Sequence, residues 1–128
     1  MQAGSTYAAI VGAVIANKRE SLKMPQGDLA EHVGVGQPAL SRIEKGESAL
    51  TIDQLARAAQ KLGTSPSALL AEADNTALTM IEQNLLVSYE KPKRSAGKVS
   101  TKGLLLLGST ALAALIYAAN RREPKSPD

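Results

Sequence analysis

Gln26 to Gly46, QGDLAEHVGVGQPALSRIEKG, sets small, apolar and polar residues in the order that two short crossed helices require. Leu29, Ala30 and Val33 recur at helical spacing on one face, and Leu40 and Ile43 do the same further on, so two stripes can close on a common core. Ala30 falls where the helices would cross, a place with room for no more than a methyl group. Gly34 falls where the turn needs a residue at positive φ. Gly36, Gln37 and Pro38 open the second helix, because Gly is an acceptable N-cap and the N–H that Pro lacks would be unpaired in a first turn anyway.

These residues, in this order and at this spacing, resemble the helix-turn-helix of the phage repressor-like family (Cro/C1, also called Xre). The resemblance spans roughly residues 7–74. It rests on Gln26 opening the first helix of the pair, on Ala30, Gly34, Leu40 and Ile43, on the Glu44-Lys45-Gly46 ending, and on Arg19, which matches the family's partner for the Glu. The resemblance implies five helices around one core, with Arg19 and Glu44 forming an internal pair between helix 1 and the end of the recognition helix.

Composition narrows what else the chain can do. With no Trp, no Phe and three Tyr in 128 residues, the core must be aliphatic. The absence of Cys leaves neither a disulfide framework nor a thiolate metal site. His32, the single His, reads as a solvated helix residue with no constellation around it, so no catalytic residue, metal site or cofactor is expected. The net charge of +3 is unevenly spread. Residues 1–90 hold seven Lys and Arg against ten Asp and Glu, and the positive excess lies beyond them, in a run from Lys91 to Lys102 without an acid. Any DNA-facing patch within the first 90 residues is therefore local, built from Arg42 and Lys45 with Lys18 or Lys23.

Taken in order, the chain reads as an all-α protein. Helix 1 carries Tyr7, Ile10, Val11, Val14 and Ile15 on its buried face, with Ser5 or Thr6 as cap and Pro25 as its break. Thr51 and Gln54 have the form of a capping box for a fourth helix, whose buried face would be Ile52, Leu55, Ala59 and Leu62. Ser65 and Pro66 start a short fifth helix with Leu69, Leu70 and Ala73, which completes a repressor-like domain over 1–74. An extra amphipathic helix over 75–90, striped by Leu78, Ile81, Leu85 and Leu86, either packs outside that domain or pairs with a second subunit. Residues 91–102 read as a flexible basic linker.

Residues 103–119, GLLLLGSTALAALIYAA, run without a charge and end in a short polar tail, 120–128. Only Ser109 and Thr110 are polar there, no face of the helix is hydrophilic, and the basic run precedes it. This pattern predicts a single transmembrane helix, with the N-terminal domain kept on the cytoplasmic side of an inner membrane by the positive-inside rule. Thr110, Ala114 and Ala118 offer a small-residue ridge for pairing two such helices. The alternative is a buried hairpin or dimer helix in a cytoplasmic protein.

The resemblance implies a sequence-specific transcriptional regulator that binds double-stranded DNA as a homodimer on a palindromic operator. The second helix would enter the major groove, with Gln37 pairing adenine, Pro38 in apolar contact, and Ser41 and Arg42 at bases or phosphates. Gln26 and Lys45 would touch the backbone. A different class of protein shares this layout. Membrane-anchored adaptors resembling the rod-shape factor family use a repressor-like domain to bind a cytoskeletal protein, and they have no need of polar Gln37, Ser41 and Arg42 on that face.

Overall fold

The computed structural model describes residues 3–92, 105–106 and 109–120. Six helices make up most of it: α1 (Tyr7–Ser21), α2 (Gln26–Val33), α3 (Gln37–Glu44), α4 (Ile52–Lys61), α5 (Pro66–Glu82) and α6 (Ser109–Asn120). Three short strands accompany them, so the fold is mostly rather than wholly helical. β1 (Ala3–Thr6) lies between β2 (Leu86–Ser88) and β3 (Leu105–Leu106), and both neighbours run parallel to it. The strands escape a reading by periodicity because they are so short. Their closeness depends on Gly4, where any Cβ would overlap the carbonyl oxygen of Leu86.

Helix ends follow local chemistry. Thr6 caps α1 by accepting from Ala9 N at 3.0 Å, and Ser65 caps α5 by accepting from Ala68 N at 3.1 Å. Thr51 and Gln54 close a reciprocal capping box on α4, at 3.1 and 2.9 Å. Between α2 and α3, Gly34 sits at φ 87°, and the amides of Gly34 and Val35 bond back to the carbonyls of Glu31 and Ala30, so the turn closes within two residues.

The core is one cluster centred on α1. Ala9 through Ile15 are all buried, wider than the single stripe the sequence predicts, because α3, α5 and α6 each cover a side of that helix. Leu29, Ala30, Val33, Leu40, Leu55, Ala59, Leu62, Leu69 and Ala73 join it, and Ile43 is buried as well. Ile52 does not. It heads α4 with its side chain in solvent, and Ala58 takes the buried place instead.

Two further expectations change. The expected short fifth helix and extra helix over 75–90 are replaced by a single helix, α5, which runs without a break to Glu82; Thr76 and Thr79, both buried, bond back to the carbonyls of Glu72 and Asn75. Asn84, at φ 60°, then turns the chain out of the helix, and Leu86 begins β2. Leu78 and Ile81 remain exposed on α5.

The expected transmembrane helix over 103–119 is the larger correction. Among the described residues no helix is long and apolar enough to cross a membrane. α6 has 12 residues, about 18 Å of helix against a hydrocarbon core of about 30 Å. Leu112, Ile116 and Ala119 are buried, and α6 packs against α5 and α1. A helix without a polar face meets the needs of a protein core as well as those of lipid. The expected basic linker past Pro92 and the polar tail from 121 onward lie outside the described residues.

Candidate nucleic-acid interface

The candidate surface is built from α2 and α3 and is held from below by a buried ion pair. Arg19, on the last turn of α1, donates from Nε to Glu44 Oε2 at 2.8 Å and from Nη2 to Glu44 Oε1 at 3.0 Å. Its remaining terminal nitrogen, Nη1, donates to the carbonyl of Met24 at 2.8 Å, which pins the turn between α1 and α2. The two side chains are only 13% and 6% exposed. The bond to Glu44 raises the Arg19 pKa above its ordinary value against the opposing effect of burial, so the guanidinium is charged at every physiological pH.

Glu44 reaches a third helix as well. Gln26, at the start of α2, donates from Nε2 to Glu44 Oε1 at 2.9 Å. Its own Oε1 accepts from Gln37 Nε2 at 3.4 Å. Arg19, Glu44, Gln26 and Gln37 therefore form one chain of hydrogen bonds from the interior to the first residue of α3. The links to Glu44 are short and hold Gln26, whereas the last, exposed and at 3.4 Å, orients Gln37 towards it. A carboxamide nitrogen has two N–H groups, so Gln26 keeps one for a ligand after bonding Glu44. Gln37 keeps its carbonyl oxygen and one N–H, the pair of groups that a bidentate contact to adenine uses.

The other expected residues are spread along α3. Gln37 and Pro38 are exposed, Ser41 and Arg42 are half-buried one turn on, and Lys45 is exposed at the helix end. No hydrogen bond or ion pair is made by the side chains of Arg42 or Lys45 among the described residues. Both cations are thus free for an anionic ligand. Leu40, Ile43 and Glu44 face inward from the same helix, which turns positions 37, 38, 41, 42 and 45 outward together.

The linking role of Gln26 was not visible in the sequence. Its place at the head of α2 suggested a phosphate contact, whereas its bonds to Glu44 and Gln37 follow from the crossing of α2 and α3. Arg57 of α4 was not singled out either; its guanidinium lies 3.5 Å from the carbonyl of Val33, at the C-terminal end of α2 where a cation is favoured. His32 is exposed and lies beside Gln60, 3.2 Å from its Oε1. No group of three His, Asp or Glu is placed to hold a metal among the described residues.

A helix-turn-helix family model matches residues 15–69, which run from α1 to the first turn of α5 and contain every one of these side chains. The fold is similar to the crystal structure of the clp gene regulator ClgR from Corynebacterium glutamicum, at 26% identity over 60% of this chain and 82% of that one, with a TM-score of 0.58. A second crystal structure of the same regulator gives 27% identity over 55% and 91%, with a TM-score of 0.52. No curated protein matches the chain. The family-model match and the similarity of fold together support a helix-turn-helix DNA-binding regulator.

Proposed function

We propose that the protein is a transcriptional regulator of the Cro/C1 type that binds a palindromic or pseudo-palindromic duplex as a homodimer. The observation that carries this reading is the hydrogen-bonded chain from the Arg19–Glu44 pair through Gln26 to Gln37. Biasing a solvent-exposed amide towards one orientation has a cost in side-chain entropy, and a base-reading group is where that ordering is recovered on binding. A protein-binding adaptor has no such use for it.

In this reading α3 lies in the major groove. Gln37 pairs adenine, Pro38 packs against a thymine methyl group, Ser41 and Arg42 reach bases or phosphates further along, and Gln26 and Lys45 hold the backbone. One recognition helix covers too few base pairs for selectivity, so two are needed, about 34 Å apart on one side of the duplex. The work is done in the cytoplasm, where the chromosome is, and needs no membrane tether.

Selection of bound duplexes from a random pool, using the full chain, tests the proposal. Enrichment of a two-fold symmetric site with half-sites about one helical turn apart is expected. Gln37→Ala should relax the preference at one position of each half-site, whereas Lys45→Ala should weaken all sequences alike and lower the salt dependence by about one ion. A pool that never departs from random sequence defeats the regulator reading and leaves the adaptor class.

A further inference from the structure

On a separate face, the start of α1, the loop into α4 and the chain leaving β2 enclose an apolar groove of about 510 Å³. Tyr7, Leu50, Leu55, Leu70 and Tyr89 form its walls, the two tyrosine rings lying 5.7 Å apart. At its rim stands Ile52, 85% exposed. The capping box between Thr51 and Gln54 fixes the first turn of α4, and from that turn Ile52 stands out into solvent. Glu90 and Lys91 complete the rim, both exposed, and neither makes an ion pair among the described residues.

We propose that this groove is the face through which two copies of the chain join, with Ile52 of each entering the groove of the other and Glu90 of each meeting Lys91 of the other. The inference rests on the dimeric reading above and gives it a location. A two-fold contact sets residue i against j and j against i, so a face that carries a knob beside a hole, and an unpaired acid beside an unpaired base, is complementary to itself. A partner of one charge sign would satisfy only half of this rim. The placement also suits the DNA-binding reading. The loop that supplies Leu50 leaves the C-terminal end of α3, while Gln37 stands at the other end and stays free for bases.

Sedimentation equilibrium of the full-length protein decides it. Ile52→Asp should raise the dimer dissociation constant at least about tenfold. Its unfolding midpoint should not fall, because the side chain is already in solvent and an acid is favoured in a first helical turn. Glu90→Lys and Lys91→Glu should each weaken the dimer, and the double variant, which restores reciprocal pairing, should recover to within about twofold of wild type. Wild-type dimerisation in Ile52→Asp, or a double variant no better than its single parents, overturns the assignment while leaving the dimer intact. Loss of the dimer in Leu78→Asp but not in Ile52→Asp moves the interface to α5 and likewise overturns it. A wild-type chain that stays monomeric both free and on DNA removes the dimeric reading itself.

Discussion

Glu44 is a carboxylate with almost no contact with water, and it is tolerated because Arg19 neutralises it in a two-bond fork while Gln26 takes a further lone pair. Replacing both members by apolar residues of similar volume costs little, but removing one strands the other. Arg19→Ala should therefore lower stability by about 3 kcal/mol, read as a fall in the urea midpoint, and an unchanged midpoint would mean that the pair is not buried. Tyr7 makes a different prediction. Its hydroxyl donates to Asp74 Oδ1 at 2.6 Å, and burial first, then the bond to Asp74 and its negative charge, push the phenol pKa up from 10.0 to about 12. The proton is held more tightly in the fold than in the unfolded chain. The contribution is thus complete below pH 10 and is lost as pH rises from 10 to about 12. Tyr7→Phe should flatten that part of the pH–stability curve and cost about 1 kcal/mol at neutral pH.

Helices α1 and α3 cross at Gly12, where a Cβ would overlap the carbonyl oxygen of Ile43. In the middle of a helix, Ala is ordinarily preferred to Gly by about 1 kcal/mol. Here the clash is with backbone, which cannot step aside as a side chain can, and it decides the sign. Gly12→Ala should destabilise by about 3 kcal/mol in chemical denaturation, and it should also weaken DNA binding, since α3 is the element displaced. A stabilised Gly12→Ala protein would mean that the two helices lie further apart. At the other end of α3, Gly46 has φ 79° and a Cβ there would lie 2.6 Å from Ala9 Cβ, so both conformation and space favour Gly at this turn. Gly34 could be placed from the sequence because its turn is local, and Gly46 only through the family resemblance; Gly12 could not, because its requirement comes from a chain segment thirty-one residues away.

α6 makes the domain larger than the helix-turn-helix alone. Ile116 is fully buried, and with Leu112 it belongs to the same core cluster as Ile10 and Met80. Ile116→Ala should then cost about 2 to 5 kcal/mol in global unfolding. A segment that spent its time in a bilayer would leave the unfolding of the N-terminal helices untouched by that change, so the measurement separates a docked helix from a tether. The same packing means that a fragment ending near residue 90 would expose one side of α1 and α5, and DNA-binding studies call for the full chain.

What the sequence by itself determined is the set of features that depend on near neighbours: the caps at Thr51 and Ser65, a cap for α1 at Ser5 or Thr6, the turn at Gly34, and the inward and outward faces of α2 and α3. The candidate DNA-facing side chains follow from those faces, since a helix with Leu40 and Ile43 inside must show Gln37, Ser41 and Arg42 outside. The tertiary structure decided what depends on distant chain segments. It turned Ile52 into solvent, tied Gln26 to Glu44 and Gln37, carried α5 on to Glu82, and docked α6 on α1 and α5. The physical reason is the same in each case. An apolar side chain or a free amide states a need for a partner, but which surface meets that need is fixed only when elements remote in sequence come into contact, and a helix apolar on every side reads alike whether protein or lipid covers it.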